Sequence, residues 1–196
     1  MKIAMFGASG PIASRIGAET VRRGHVLAAV SSHSSFAPAE FTFILGDLSD
    51  PASVARAVAR HDAVISAAGV TASQVMAARA LAAGLQEGGV RRLVVLGDGL
   101  GPEVVVSEDV PALVIQTRAN RDTVAVYEQA ADLDWTYVIP ASTVSVGERT
   151  GRYRIGLAHL GNRAGQSRIS AEDLAVALLD EVEGSRHLRQ CVYVAY

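Results

Sequence analysis

Short apolar runs rich in β-branched residues alternate along this chain with longer alanine-rich stretches whose apolar positions recur at helical spacing. Ile3 to Phe6 predicts a first strand. Residues 11 to 23 predict a helix with Pro11 in its first turn and Gly24 as its stop, and Val26 to Val30 a second strand. Phe41 to Leu45 is the third strand, and Ser49-Asp50-Pro51 opens a helix running through Arg60. Asp62 to Ser66 is the fourth strand, residues 72 to 87 a helix ended by Gly88-Gly89, and Arg91 to Leu96 the fifth strand. A helix over 111 to 131 leads into the sixth strand, Asp134 to Ile139, closed by Pro140. Ser170-Ala-Glu-Asp173 caps a last helix to about residue 183, and Gln190 to Ala195 is a final strand. Strands alternating with helices predict an α/β fold, a doubly wound parallel sheet of six to seven strands. Residues 141–169 hold glycines and little periodicity, which predicts a small loop-rich lobe on the substrate side. The whole of 1–196 reads as one domain.

Composition narrows the class. With 18 basic and 20 acidic residues scattered along 196, the formal charge of −2 argues against a nucleic-acid partner. The one cysteine, Cys191, permits no internal disulfide, and no Cys/His group has zinc-ligand spacing, so a reducing compartment and no metal are expected. Met1-Lys2 leads directly into an apolar strand, and no stretch is apolar enough to span a membrane; the expectation is a cytoplasmic protein, monomer or homodimer, acting on a small molecule.

Candidate chemistry begins at Gly7-Ala8-Ser9-Gly10-Pro11-Ile12-Ala13, between the first strand and its helix. There a dinucleotide pyrophosphate needs main-chain N–H donors and close approach. Gly7 permits the tight turn, Gly10 leaves the helix N-terminus bare, and Ala13 stands where the fingerprint allows glycine or alanine. Ser9, Pro11 and Ile12 complete the loop. The chain resembles the atypical short-chain dehydrogenases/reductases of the NmrA-like group, in the Rossmann-type class. The likeness is greatest to the branch of NADH-flavin reductases, and it extends to biliverdin reductase B. The motifs that carry it are Gly7-Ala-Ser-Gly10, Arg23-Gly24-His25-Val26, Gly46-Asp47-Leu48, Asp62-Ala-Val-Ile65, Asp134-Trp-Thr136 before Pro140, Gly147-Glu-Arg-Thr-Gly151, and Ile169-Ser170 before Glu172-Asp173. The resemblance implies that Asp47 and Leu48 pass beside an adenine and that Ala67-Ala68-Gly69 line the middle of the cofactor. A local reading makes Asp47 the start of a turn.

The segment after the second strand, Ser31-Ser32-His33, has no acid to accept ribose hydroxyls and repel a 2′-phosphate, and it lacks the arginine usual in NADPH-using relatives. Hydroxyls, main-chain donors and His33 would then bind the phosphate, which leans to NADP over NAD. Ordinary short-chain dehydrogenases place Tyr and Lys four residues apart on one helix. Here Lys2 is the only lysine and Ala131 follows Tyr127 at the fourth place, so that relay is missing. Reaction chemistry is expected where the fifth and sixth strands end, at Gly97-Asp98 and Pro140-Ala141-Ser142-Thr143. Asp98 and Ser142 are the catalytic candidates. Thr143, Arg149, Arg152 and Tyr153 are candidates for holding a planar anionic substrate, a flavin among them. Ser170 and Asp173 have the spacing of an N-cap and its acid and read as structural. These features fit a reductase of flavin or a quinone-like acceptor. They leave open a nucleotide-reading regulator without turnover, and a biosynthetic enzyme on the same scaffold.

Overall fold

The computed structural model describes residues 1–32, 41–68, 74–99, 111–161 and 166–196, with 111–117 described by backbone alone. Ten strands and five helices follow in the order β1 (Lys2–Phe6), α1 (Pro11–Arg22), β2 (Val26–Ser31), β3 (Thr42–Leu45), α2 (Pro51–Val58), β4 (Ala63–Ser66), α3 (Gln74–Gly88), β5 (Arg92–Leu96), α4 (Pro111–Gln129), β6 (Asp134–Pro140), β7 (Thr143–Ser145), β8 (Arg154–Gly156), β9 (Arg168–Ser170), α5 (Ala171–Gly184) and β10 (Gln190–Ala195). The main sheet has the order β3-β2-β1-β4-β5-β6-β10-β8, parallel except for β8, which runs antiparallel to β10. The chain winds outward from β1 through β2 to β3, then returns to β4 on the other side of β1. The sheet's topological switch point therefore lies between β1 and β4, where open α/β sheets leave a crevice at the strands' carboxyl ends.

Both faces of the sheet are covered, so every second residue of a strand belongs to a different core. Ile3 and Met5 of β1 pack with Ile16 of α1 and with Leu174 and Leu178 of α5. Ala4 and Phe6 pack on the opposite side with Val54, Leu81, Leu85 and the large rings of Trp135 and Tyr137. This explains why the central strands read as unbroken apolar runs. Gly24, with φ +75°, follows the C-cap Arg23 and ends α1, as its position in the sequence predicts. Helix α2 stops earlier than predicted, at Val58, because Ala59 is extended and Arg60 is left-handed at φ 67°.

The region 141–169 consists of loops and short strands, and the structure adds how those strands pair. Two of its short strands, β7 and β9, pair with each other, and the third, β8, joins the main sheet as its eighth strand against β10. Strands of three residues are too short for a period-2 pattern to register. Residues 147–153 are tied to the helices of the first core: fully buried Asp173 accepts from Thr150 Oγ1 at 2.5 Å, Gly151 N at 2.7 Å and Tyr196 OH at 2.9 Å. Ser170 Oγ accepts from Asp173 N at 3.0 Å, so this pair does cap α5.

Candidate active site

A cleft of about 580 Å³ opens at the switch point. Gly7, Ser9, Gly10, Pro11 and Ile12 form one wall, Ala67 and Ala68 the second, and Leu96, Gly97 and Asp98 the far end. Gly7 has φ +79°, and a Cβ there would stand 2.5 Å from the Ala67 carbonyl carbon; only glycine lets the first loop close on the loop after β4. A Cβ on Gly10 would meet nothing within 4 Å, so this residue keeps open space rather than filling a contact.

The helix beginning at Gly10 is bare. Asp50 caps α2 by accepting from Ala52 N and Ser53 N, and Ser170 caps α5, but no side chain caps α1 and its first turn holds no acid. Pro11 has no N–H, and the next main-chain donors, at Ile12 and Ala13, lie on residues that line the cleft. The positive end of the helix dipole therefore faces a space lined by small residues, an arrangement that binds phosphate.

Ser31 ends β2 on the same carboxyl edge, with Gly46 N donating to its carbonyl at 3.0 Å, and Ser32 follows it. His33 and Gly69 lie outside the described residues. Asp47 starts a turn beyond β3: its Oδ1 accepts from Ser49 N and Ser49 Oγ, both at 2.8 Å. These bonds, first the main-chain one, hold the Asp47 carboxyl below its usual pKa. Leu48 packs on the second core.

At the far end Gly97 N donates to Val138 O at 2.8 Å, joining β5 to β6, and the Tyr137 ring fills the place a Gly97 side chain would take. Asp98 is held by a residue that sequence reasoning did not find: Asn120 of α4, fully buried, donates Nδ2 to Asp98 Oδ1 at 2.7 Å. Asn120 Oδ1 in turn accepts from Gln74 Nε2 at 3.0 Å and from the Tyr137 hydroxyl at 3.4 Å. Burial, with the nearby Asp98 charge adding to it, pushes the Tyr137 phenol well above its usual pKa. No motif or spacing marks Asn120 or Gln74. Pro140 ends β6 and is buried. Ser142 lies beside the β5 end: a Cβ on Gly99 would sit 3.4 Å from Ser142 Cα.

The other proposed substrate residues lie elsewhere. Arg149 donates to buried Glu19 of α1 at 2.7 and 2.9 Å, and the Tyr153 hydroxyl donates to Asp180 of α5 at 2.5 Å. Arg152 is exposed, and none of these three lines the cleft. Tyr127 is buried beside Trp135, ring centroids 6.4 Å apart, and burial raises its phenol pKa. Among the described residues no cluster of His, Cys, Asp or Glu could hold a metal ion, and no helix is long and apolar enough to cross a membrane.

A family model described as NAD(P)H-binding matches residues 7–184, from the first cleft glycine to the end of α5. The chain belongs to the NAD(P)H-binding family. Within it, the chain is 31% identical over 204 residues to the uncharacterized protein YwnB of Bacillus subtilis, covering 95% of this chain and 94% of the relative. Three solved structures share the fold over the full length of this chain. A "putative exported protein" of Burkholderia pseudomallei is 40% identical with a TM-score of 0.89, covered in full. A "putative epimerase" of Bacteroides thetaiotaomicron is 27% identical with a TM-score of 0.84, 96% covered. A "putative NADH-flavin reductase" of Streptococcus pneumoniae TIGR4 is 27% identical with a TM-score of 0.80, 99% covered.

Proposed function

We propose that this protein is an NAD(P)H-dependent reductase that passes a hydride to a flavin or quinone-like acceptor. The observation that carries the reading is the uncapped N-terminus of α1 opening on a cleft that ends at Gly97 and Asp98. The residues fit the coenzyme: Ile12 and Ala13 offer N–H donors to its pyrophosphate, and Gly10 leaves the space that the phosphates fill. The nicotinamide, when bound, supplies the hydride. Ser31 and Ser32, with no acid beside them in the sequence, favour a 2′-phosphate, so NADPH is the preferred donor.

The chain's own task is to orient the acceptor beside Asp98 and Ser142 and to exclude water there. Tyr127 is buried and has no lysine four residues on, so the proton relay of ordinary short-chain dehydrogenases is replaced by an acceptor that tolerates a negative charge after reduction. Flavins and quinones are such acceptors. A cytoplasmic location suits a consumer of reduced nicotinamide. A regulator that binds the coenzyme without turnover is the second reading, favoured by the engagement of Asp98 with Asn120. The test is acceptor-dependent loss of NADPH absorbance with flavin or a quinone added. Binding of NADPH with no loss above the blank rejects the reductase and leaves the regulator.

A further inference from the structure

A second cavity, of about 800 Å³, lies beyond the sixth strand and is lined by Thr143, Arg154, Gln166, Ser167, Arg168 and Tyr196, with Leu160 and Gly161. We infer that it receives the anionic tail of the hydride acceptor, and that the acceptor is therefore a planar molecule carrying a phosphate, such as FMN rather than riboflavin. This inference rests on the reductase reading.

Charge is the first support. Arg154 and Arg168 line the cavity, and among the described residues no aspartate or glutamate does. Arg154 already donates to the main-chain oxygen of the terminal Tyr196 and is engaged there. The Arg168 side chain has no hydrogen-bond or ion-pair partner among the described residues, while Arg15, Arg22, Arg23 and Arg149 are each paired with a carboxylate. A cation without such a partner, together with hydroxyls, is suited to a phosphate or carboxylate.

The walls are also built. Ser142 N donates to Ser167 Oγ at 2.9 Å and Ser142 Oγ to Ser167 O at 2.9 Å, while β7 and β9 pair from Thr143 and Arg168 onward. Tyr196 N donates to Arg168 O at 3.0 Å, and its hydroxyl is bound by Ser170 and Asp173.

Position is the third support. Ser142 lies between the two regions: it stands beside Gly99, which follows the cleft residue Asp98, and it is bonded to Ser167, which lines the second cavity. The proposed 2′-phosphate position at Ser31 lies on β2, four strands away from β6, about 19 Å at the usual strand spacing. An anion in the second cavity therefore comes from the acceptor and not from the coenzyme.

The experiment compares FMN with riboflavin, which share a ring and differ by one phosphate. Steady-state kcat/KM with NADPH and equilibrium flavin-fluorescence titrations are measured for the wild type, R168Q and R79Q; Arg79 is exposed on α3 and lines neither cavity. The expected result is a wild-type preference for FMN that falls about tenfold in R168Q and is unchanged in R79Q, with inorganic phosphate competing against FMN alone. Equal use of the two flavins by the wild type, or the same ratio in R168Q and R79Q, overturns the subsite while riboflavin turnover keeps the reductase. FMN binding that depends on Arg168 without turnover of either flavin keeps the subsite and rejects the reductase. Absence of binding by either flavin rejects both.

Discussion

The Nδ2 of Asn120 donates to Asp98 Oδ1 across 2.7 Å, tying a fully buried amide on α4 to a carboxylate that lines the cleft. Through Gln74 and Tyr137 this amide also joins α3 and β6, so the far end of the cleft is held by three elements besides β5. Asn120 is a positioning residue: it touches Asp98 and does not line the cleft. An N120L variant removes the amide that Gln74 and Asp98 bond and is expected to lose roughly 2 kcal/mol of stability in denaturant melts. If its role is positional, acceptor kcat falls about tenfold while the NADPH Kd shifts by less than about threefold, a split that a purely structural residue would not produce.

Gly7 and Gly10 are three residues apart and predict opposite outcomes. G7A forces a Cβ into the Ala67 carbonyl at a left-handed φ, so it should lower the thermal midpoint and nucleotide affinity together, with a stability loss of roughly 2 kcal/mol or more. G10F projects into open space, so the melt should be unchanged while NADPH affinity falls at least about a hundredfold, because the phosphate's place is taken. Parallel melts and NADPH titrations decide both. Retained affinity in G10F would remove the pyrophosphate from this helix.

The nucleotide preference is tested at Ser31. A carboxylate there repels a 2′-phosphate and accepts ribose hydroxyls, so S31D should cut the ratio of NADPH to NADH affinity at least about tenfold. A ratio that does not move would place the adenosine end away from β2.

Stability should fall in acid through Glu19. Burial opposes its charge, but bonds from Arg149, Arg22 and Arg23 overcome that cost and hold the carboxyl far below the ordinary 4.5. Glu172 and Asp173 are lowered as well. A depressed folded-state pKa stabilises the fold above the unfolded-state value; as pH drops below that value the unfolded chain takes up protons that the folded chain refuses. Denaturant melts should therefore lose stability between about pH 5 and 3. E19Q should be roughly 1–3 kcal/mol less stable at neutral pH and show a flatter acid limb. An acid limb as steep as that of the wild type would assign the effect to other carboxylates.

Much of this molecule is legible in order along the chain. The alternation of apolar runs and helical spacing determined the five helices and the seven parallel strands, because burial on one or both faces leaves a period in neighbouring residues. The glycine loop was legible too, since the φ of Gly7 and the bare helix at Gly10 depend on local geometry. Tertiary structure alone decided which charges and amides meet. Arg149 reaches Glu19 across 130 positions, Gln74 reaches Asn120 across 46, and β8 finds β10 to widen the sheet to eight strands. Contacts of that span follow from how helices and strands stack, and they impose no repeat on the residues either side of them. The geometry of the glycine loop was therefore readable from sequence. The groups at the far end of the cleft were not, because they come from separate elements that only the packed sheet brings together.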